Sequence, residues 1–261
     1  MAKQLLIYES AVPVNSDRHR DACLEPASNF AFTQGINVVP LMAVEMMSAA
    51  PEYAIVFLES ENNIMPVAIL GMKPDQNLYL TAESQWSAKY IPAFIRRYPF
   101  VFAMNQPPAK AGEGKPAEPQ QQMMTLCVDE TYPGFNREGR GQRLFGDDGK
   151  PTAYVENVLN FLKEFQVQFE RTRLFGKKLK DLNLLEPMQA QVSPVTGDKI
   201  TLGGFQGINR NRLKTLSAES LSELCKTDEL ELIYLHLHSL QNFGMVKDRF
   251  VATLPAPEAA K

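Results

Sequence analysis

The stretch TAYVENVLNFLKEFQVQF constrains the fold more than any other part of the chain. Val155, Val158, Leu159, Leu162, Phe165 and Phe169 recur at three- and four-residue spacing, which gathers them into one apolar stripe on a helix. Such a helix needs a second apolar layer to cover it. Asp147, Asp148 and Gly149 form a turn ahead of it, with the two aspartates as expected caps, and Pro151 suits the first helical turn. The helix is expected to run past Arg173, with Gly176 as the candidate interruption. Glu164, Glu170, Arg171 and Lys177 form its solvated face.

The covering layer is read from short runs of strand formers. YAIVFLES, MPVAILGMK and NLYLTAE follow one another between Asn, Asp and Pro, the pattern of an antiparallel meander. PVAILG is apolar throughout and predicts a strand covered on both faces. FVFAMN and QMMTLCVDE predict two further strands, and LLEPMQAQVS with DKITLGGFQGIN predicts a hairpin. VPLMAVEMMSAAPEY reads as a helix between Pro40 and Pro51. LSAESLSELCKT and DELELIYLHLHSLQNFGMV read as two closing helices, capped by Ser217 and Asp228, with Glu231 completing a capping box. The expected fold is α+β: a mixed or largely antiparallel sheet with one long amphipathic helix and two C-terminal helices packed on it. Residues 1–254 are expected to form a single domain. The segment 106–121, rich in Pro, Ala and Gly, is expected to be a flexible loop, and 255–261 a disordered tail.

Charge and composition narrow the function classes. A net charge of −3 supplies no field for general nucleic-acid or anionic-lipid binding. No window approaches the roughly 18 uninterrupted apolar residues of a membrane helix, so membrane insertion is not expected. Cys23, Cys127 and Cys225 are odd in number and far apart, unlike a disulfide framework or a metal knuckle. These features together predict a cytoplasmic protein.

Motifs that carry chemistry are scarce. There is no GxGxxG after a strand, no GxxxxGK[ST], no GxSxG and no HExxH. The glycines of LGGFQG fit a strand bulge better than a phosphate loop. His236 and His238 would share a face on a strand and could then ligate one metal. On a helix they diverge by about 200°, and the length and cap of their segment favour the helix. His19, in DRHRD, completes a set of weak metal candidates, and no cofactor is predicted. The stretch WSAKYIPAFIRRYPF is a better ligand site: Pro92 and Ala93 open a short helix, and Pro99 forbids Tyr98 the helical region. Trp86, Tyr90, Arg96, Arg97 and Tyr98 thus gather aromatic faces with guanidinium groups, a combination suited to a planar carboxylate or phosphate. It suits equally an arginine tied to an internal acid.

The same block carries a family resemblance. NLYLTAESQWSAKYIPAFIRRYPF, with its Trp, then Tyr-x-Pro-Ala, then Arg-Arg-Tyr-Pro-Phe, resembles the signature of the bacterial SapC family. VPLMAVEM, YAIVF, RLFGDDGKPT, GGFQGINRNRLKTLSAESLSEL and LELIYLHLHSLQN resemble further parts of that family in order, and His236 and Ser239 match recurrent positions. The resemblance implies a link to surface-layer protein handling and brings no catalytic set. The leading expectation is an accessory or binding protein for a surface-layer or other surface polypeptide, taking a peptide or small anionic ligand near Trp86–Phe100. The alternatives are a metal- or histidine-dependent enzyme modifying a peptide or small molecule, and a structural subunit of a homodimer.

Overall fold

The computed structural model describes residues 7–60, 63–105, 123–192 and 199–254. The expected flexible loop at 106–121 and the expected tail at 255–261 lie outside the described residues. The strands are β1 (Ala11–Pro13), β2 (Cys23–Leu24), β3 (Val38–Pro40), β4 (Ile55–Ser60), β5 (Asn63–Ile69) and β6 (Phe100–Asn105). They continue with β7 (Met123–Asp129), β8 (Phe135–Asn136), β9 (Gln142–Arg143), β10 (Leu185–Val192) and β11 (Ile200–Ile208). The helices are α1 (Ser16–His19), α2 (Met46–Ala49), α3 (Ala93–Arg96), α4 (Ala153–Asp181), α5 (Arg210–Lys214), α6 (Ala218–Lys226), α7 (Glu229–Ser239) and α8 (Phe243–Ala252). Antiparallel sheets with a long helix and closing helices make the fold α+β. No helix among the described residues is long and apolar enough to cross a membrane.

The chain gathers into two compact units, Met1–Ser28 with Arg97–Glu164, and Asn29–Arg96 with Phe165–Lys261. In the first, β1, β7 and β6 form an antiparallel sheet in that order, with Phe100 opposite Val128. Alternation along these strands turns Phe100, Leu126 and Val128 toward Leu144, Val155 and Leu162. Val155 and Leu162 belong to the helical stripe, so its first half is covered as its spacing predicts. The turn before α4 differs from expectation. Asp147 pairs with Arg143, and Asp148 accepts from the backbone N–H of Lys150. The aspartates therefore close the turn, and the Thr152 carbonyl receives the Glu156 N–H at the helix start.

The second unit holds a five-stranded antiparallel sheet in the order β10-β11-β4-β5-β3. Interior position explains the unbroken apolar run of β5, where Val67, Ala68 and Ile69 are buried. The third strand of the expected meander does not form; residues 78–81 contribute only a bridge between Leu80 and Trp86. Side chains take up backbone groups there: Asn77 accepts from the Tyr79 N–H, and Arg249 donates to the Leu78 carbonyl. In β11, Gly203 and Gly204 stand opposite the single residue Gln189, a bulge that Gly204 permits with φ +85°. Gly176 does not interrupt α4. A Cβ at that position would lie 2.0 Å from the Ile64 carbonyl oxygen, so glycine lets the helix approach β5. Ser217 caps α6 through the Ser220 N–H. Asp228 has φ 59° and makes no cap, because only two residues separate α6 from α7 and the link turns through the left-handed region.

Candidate functional site

The residues singled out in the sequence divide between the units. Trp86, Tyr90 and Arg96 belong to the unit built on the five-stranded sheet, Arg97 and Tyr98 to the other. Pro92 and Ala93 do begin a short helix, and the chain turns into β6 just beyond Tyr98. Tyr90 precedes α3 and is not part of it.

Around Tyr90 the polar groups form one chain. The Tyr90 hydroxyl donates to Glu45 Oε1 at 2.7 Å, and Arg96 Nη2 reaches the same hydroxyl at 3.4 Å. Burial and the adjacent Glu45 carboxylate push the Tyr90 phenol well above its usual range. Glu45 is 5% exposed and also accepts from the backbone N–H groups of Ala93 and Met42, both at 2.7 Å. Among the described residues these three donors all belong to its own unit. Arg96 is exposed, donates through Nε to the Ile91 carbonyl at 2.9 Å, and lies 5.7 Å from the Tyr90 ring centre.

Trp86 sits in an aromatic row. Its indole N–H donates to the Tyr53 hydroxyl at 2.8 Å, and its ring stacks beside Tyr79 at 6.2 Å. Tyr79 in turn stacks on Tyr53 at 4.7 Å and carries the Arg249 guanidinium 4.3 Å above its face. Burial raises the Tyr79 phenol to about 12. Arg249 is fixed by two bonds from Nη1, to the Leu78 carbonyl at 3.0 Å and the Ser87 hydroxyl at 2.6 Å.

Beside this row lies an open cleft of about 660 Å³, within the size range of small-ligand sites. Pro51, Ala88 and Met245 give it apolar walls, and Ser48, Glu52 and Tyr90 add polar groups. Lys89 and Arg249 bring two cations. Glu52 accepts from the backbone N–H groups of Lys89 and Tyr90, at 2.9 and 2.8 Å, which fixes that backbone along the cleft. Lys89 has no ion-pair partner among the described residues. Lys89 lies within WSAKYIPAFIRRYPF, whereas Arg249 and Glu52 stand outside every candidate site of the sequence. The four-residue spacing of Met245 and Arg249, one face of a helix, was the available signal.

In the other unit Arg97 is 6% exposed and lies 5.7 Å from the Tyr8 ring centre. Burial, the largest influence, lowers its guanidinium pKa, and the bonded Tyr8 side chain opposes that shift. Tyr98 packs edge-on against Tyr8 and Tyr132, at 5.3 and 5.5 Å.

His236 and His19 bond to backbone groups and to an acid. His236 is fully buried; its Nδ1 lies 2.9 Å from the Ile55 carbonyl, and its Nε2 accepts from the Ile208 N–H at 3.0 Å. The ring thus spans β4 and β11, and burial holds it neutral, with a pKa of about 4. Ser239 accepts from the Ile55 N–H, completing both backbone groups of that residue. His238 is exposed on the same helix, near Gln241. His19, in the other unit, is buried with Nε2 3.2 Å from Glu130, which also pairs with Arg18. Among the described residues no group of three or more His, Cys, Asp and Glu side chains is arranged to hold a metal ion.

No curated protein and no solved structure matches the chain. A family model does: that of SapC, over residues 14–245. The match takes in the aromatic block, the walls of the cleft up to Met245, and the buried pair His236 and Ser239. By this match the chain belongs to the SapC family.

Proposed function

We propose that this SapC-family chain is a binding protein that assists the handling of a surface-layer or other surface polypeptide, taking a peptide or small anionic ligand at the cleft beside Trp86 and Tyr90. One observation carries the reading: Lys89 and Arg249 line the same cleft, against the single carboxylate of Glu52. Two cations against one acid leave a positive excess in a protein whose net charge is −3, and an anion is the complement of such a site. Tyr90 links the cleft to Arg96, which gives the ligand-binding face a further guanidinium within the same unit.

The test is mass spectrometry of the small molecules and peptides released on denaturing purified protein, compared between wild type and Lys89→Glu. A species carried by the wild type and missing from a variant of unchanged melting temperature supports the reading. Identical profiles from the two proteins contradict it.

A further inference from the structure

We infer that the ligand group read by this cleft is the free C-terminal carboxylate of a peptide whose last side chain is apolar. The inference rests on the reading of the cleft as an anion site and names the class of anion. Arg249 is the main reason. Its hydrogen bonds to the protein all leave from Nη1 among the described residues, and its Cζ lies 4.3 Å from the centre of the Tyr79 ring. The edge formed by Nε–H and Nη2–H is therefore not used by those bonds. That edge presents two parallel donors, the geometry that a carboxylate accepts in bidentate fashion. Because the guanidinium is already anchored, little side-chain entropy is lost when a ligand engages it.

Charge balance points to a monoanion. Lys89 and Arg249 against Glu52 leave a formal excess of one positive charge at the cleft, and Arg96 is balanced by Glu45 on the same Tyr90 hydroxyl. A phosphate monoester carries nearly two negative charges at neutral pH, whereas a peptide C-terminus carries one. The remaining walls favour a peptide end over a bare organic acid. Met245, 40% exposed, lies one helical turn before Arg249. With Pro51 and Ala88 it offers an apolar surface beside the cations. Methionine is unbranched and polarizable, so this wall accepts apolar side chains of differing shape. The Ser48 hydroxyl lines the same cleft and can bond a peptide backbone.

The experiment uses the full chain, immobilised, and two pools of randomised pentapeptides, one ending in the free acid and one in the amide. Captured peptides are read by mass spectrometry, for wild type and for Lys89→Glu, whose exposed side chain makes loss of folding a poor explanation. Inorganic phosphate and acetate serve as competitors. The expected result is enrichment of free acids with apolar last residues by about tenfold over amides, the worth of one charge-assisted pair, and its loss in Lys89→Glu. Equal capture of acids and amides, lost in Lys89→Glu, overturns the carboxylate inference while the cleft keeps its binding role. Displacement by phosphate at concentrations where acetate has no effect also overturns it, in favour of a phosphate ligand. Absence of enrichment, or enrichment unchanged by Lys89→Glu, overturns the inference and the proposed binding site together.

Discussion

Arg96 and Arg97 follow one another in the chain, and each guanidinium lies 5.7 Å from the centre of a tyrosine ring, Tyr90 for one and Tyr8 for the other. Their surroundings are opposite. Arg96 is exposed and shares its tyrosine with the hydrogen-bonded chain that runs to Glu45, in the unit that holds the cleft. Arg97 is 6% exposed, in a part of the other unit where Tyr8 donates to the Phe100 carbonyl and Tyr98 packs on Tyr8. An arginine on an aromatic face is thus no guide to ligand binding by itself. Accessibility decides: Lys89 and Tyr90 line a cleft in the unit that holds exposed Arg96, whereas Arg97 and Phe100 are buried in the other unit.

The largest effect that would break this contrast is at the buried arginine. Arg97→Ala should cost roughly 3 to 4 kcal/mol in urea unfolding, because it removes packed methylenes and the guanidinium bonded to Tyr8, whose hydroxyl keeps only the Phe100 carbonyl among the described residues. A cost below about 0.5 kcal/mol, the range of ordinary surface changes, would show that the group is not part of the core. Next comes pH. His236 is held near 4 when folded against an ordinary 6.5, so the unfolded chain takes the proton first. Its contribution is complete above pH 6.5 and drains away as pH falls toward 4, a loss of roughly 3 kcal/mol across that window. Denaturation midpoints at pH 7 and pH 4.5 measure it, and replacement of His236 should flatten the difference. Tyr90→Phe, which takes one donor from buried Glu45, should cost about 1 to 2 kcal/mol. Smallest of all, Arg96→Ala should change stability by less than about 0.5 kcal/mol while weakening capture of an anionic ligand. Equal destabilisation by Arg96→Ala and Arg97→Ala would erase the distinction between the two arginines.

What could be read from the sequence follows the range of the interactions involved. Val155, Leu162 and Phe165 announced their burial through local spacing, and the β4–β5 and β10–β11 hairpins through apolar runs and breakers, Gly203–Gly204 included. These patterns are written within a few residues. The missing strand at 78–81 depended on Arg249, remote in sequence, claiming the Leu78 carbonyl. Asp228 looked like a cap because its neighbours are helical, but the two-residue link to α6 fixed its backbone in the left-handed region. The candidate site was half legible for the same reason. Trp86, Tyr90 and Arg96 were adjacent enough to read as a group, whereas Arg249 joins Ser87 from 162 residues away. The partner of Arg97, Tyr8, was equally out of reach of spacing, so the two guanidiniums looked alike until the chain was folded.

The most direct measurement of the binding site is the reactivity of single lysines toward an amine-specific reagent, with and without the free-acid pentapeptide pool. Lys89 at the cleft is compared with Lys150, whose side chain is 81% exposed in the other unit. If the cleft takes the peptide end, labelling of Lys89 slows several-fold on addition of the pool while Lys150 is unaffected. Equal labelling of Lys89 in the presence and absence of saturating peptide would contradict binding at this cleft.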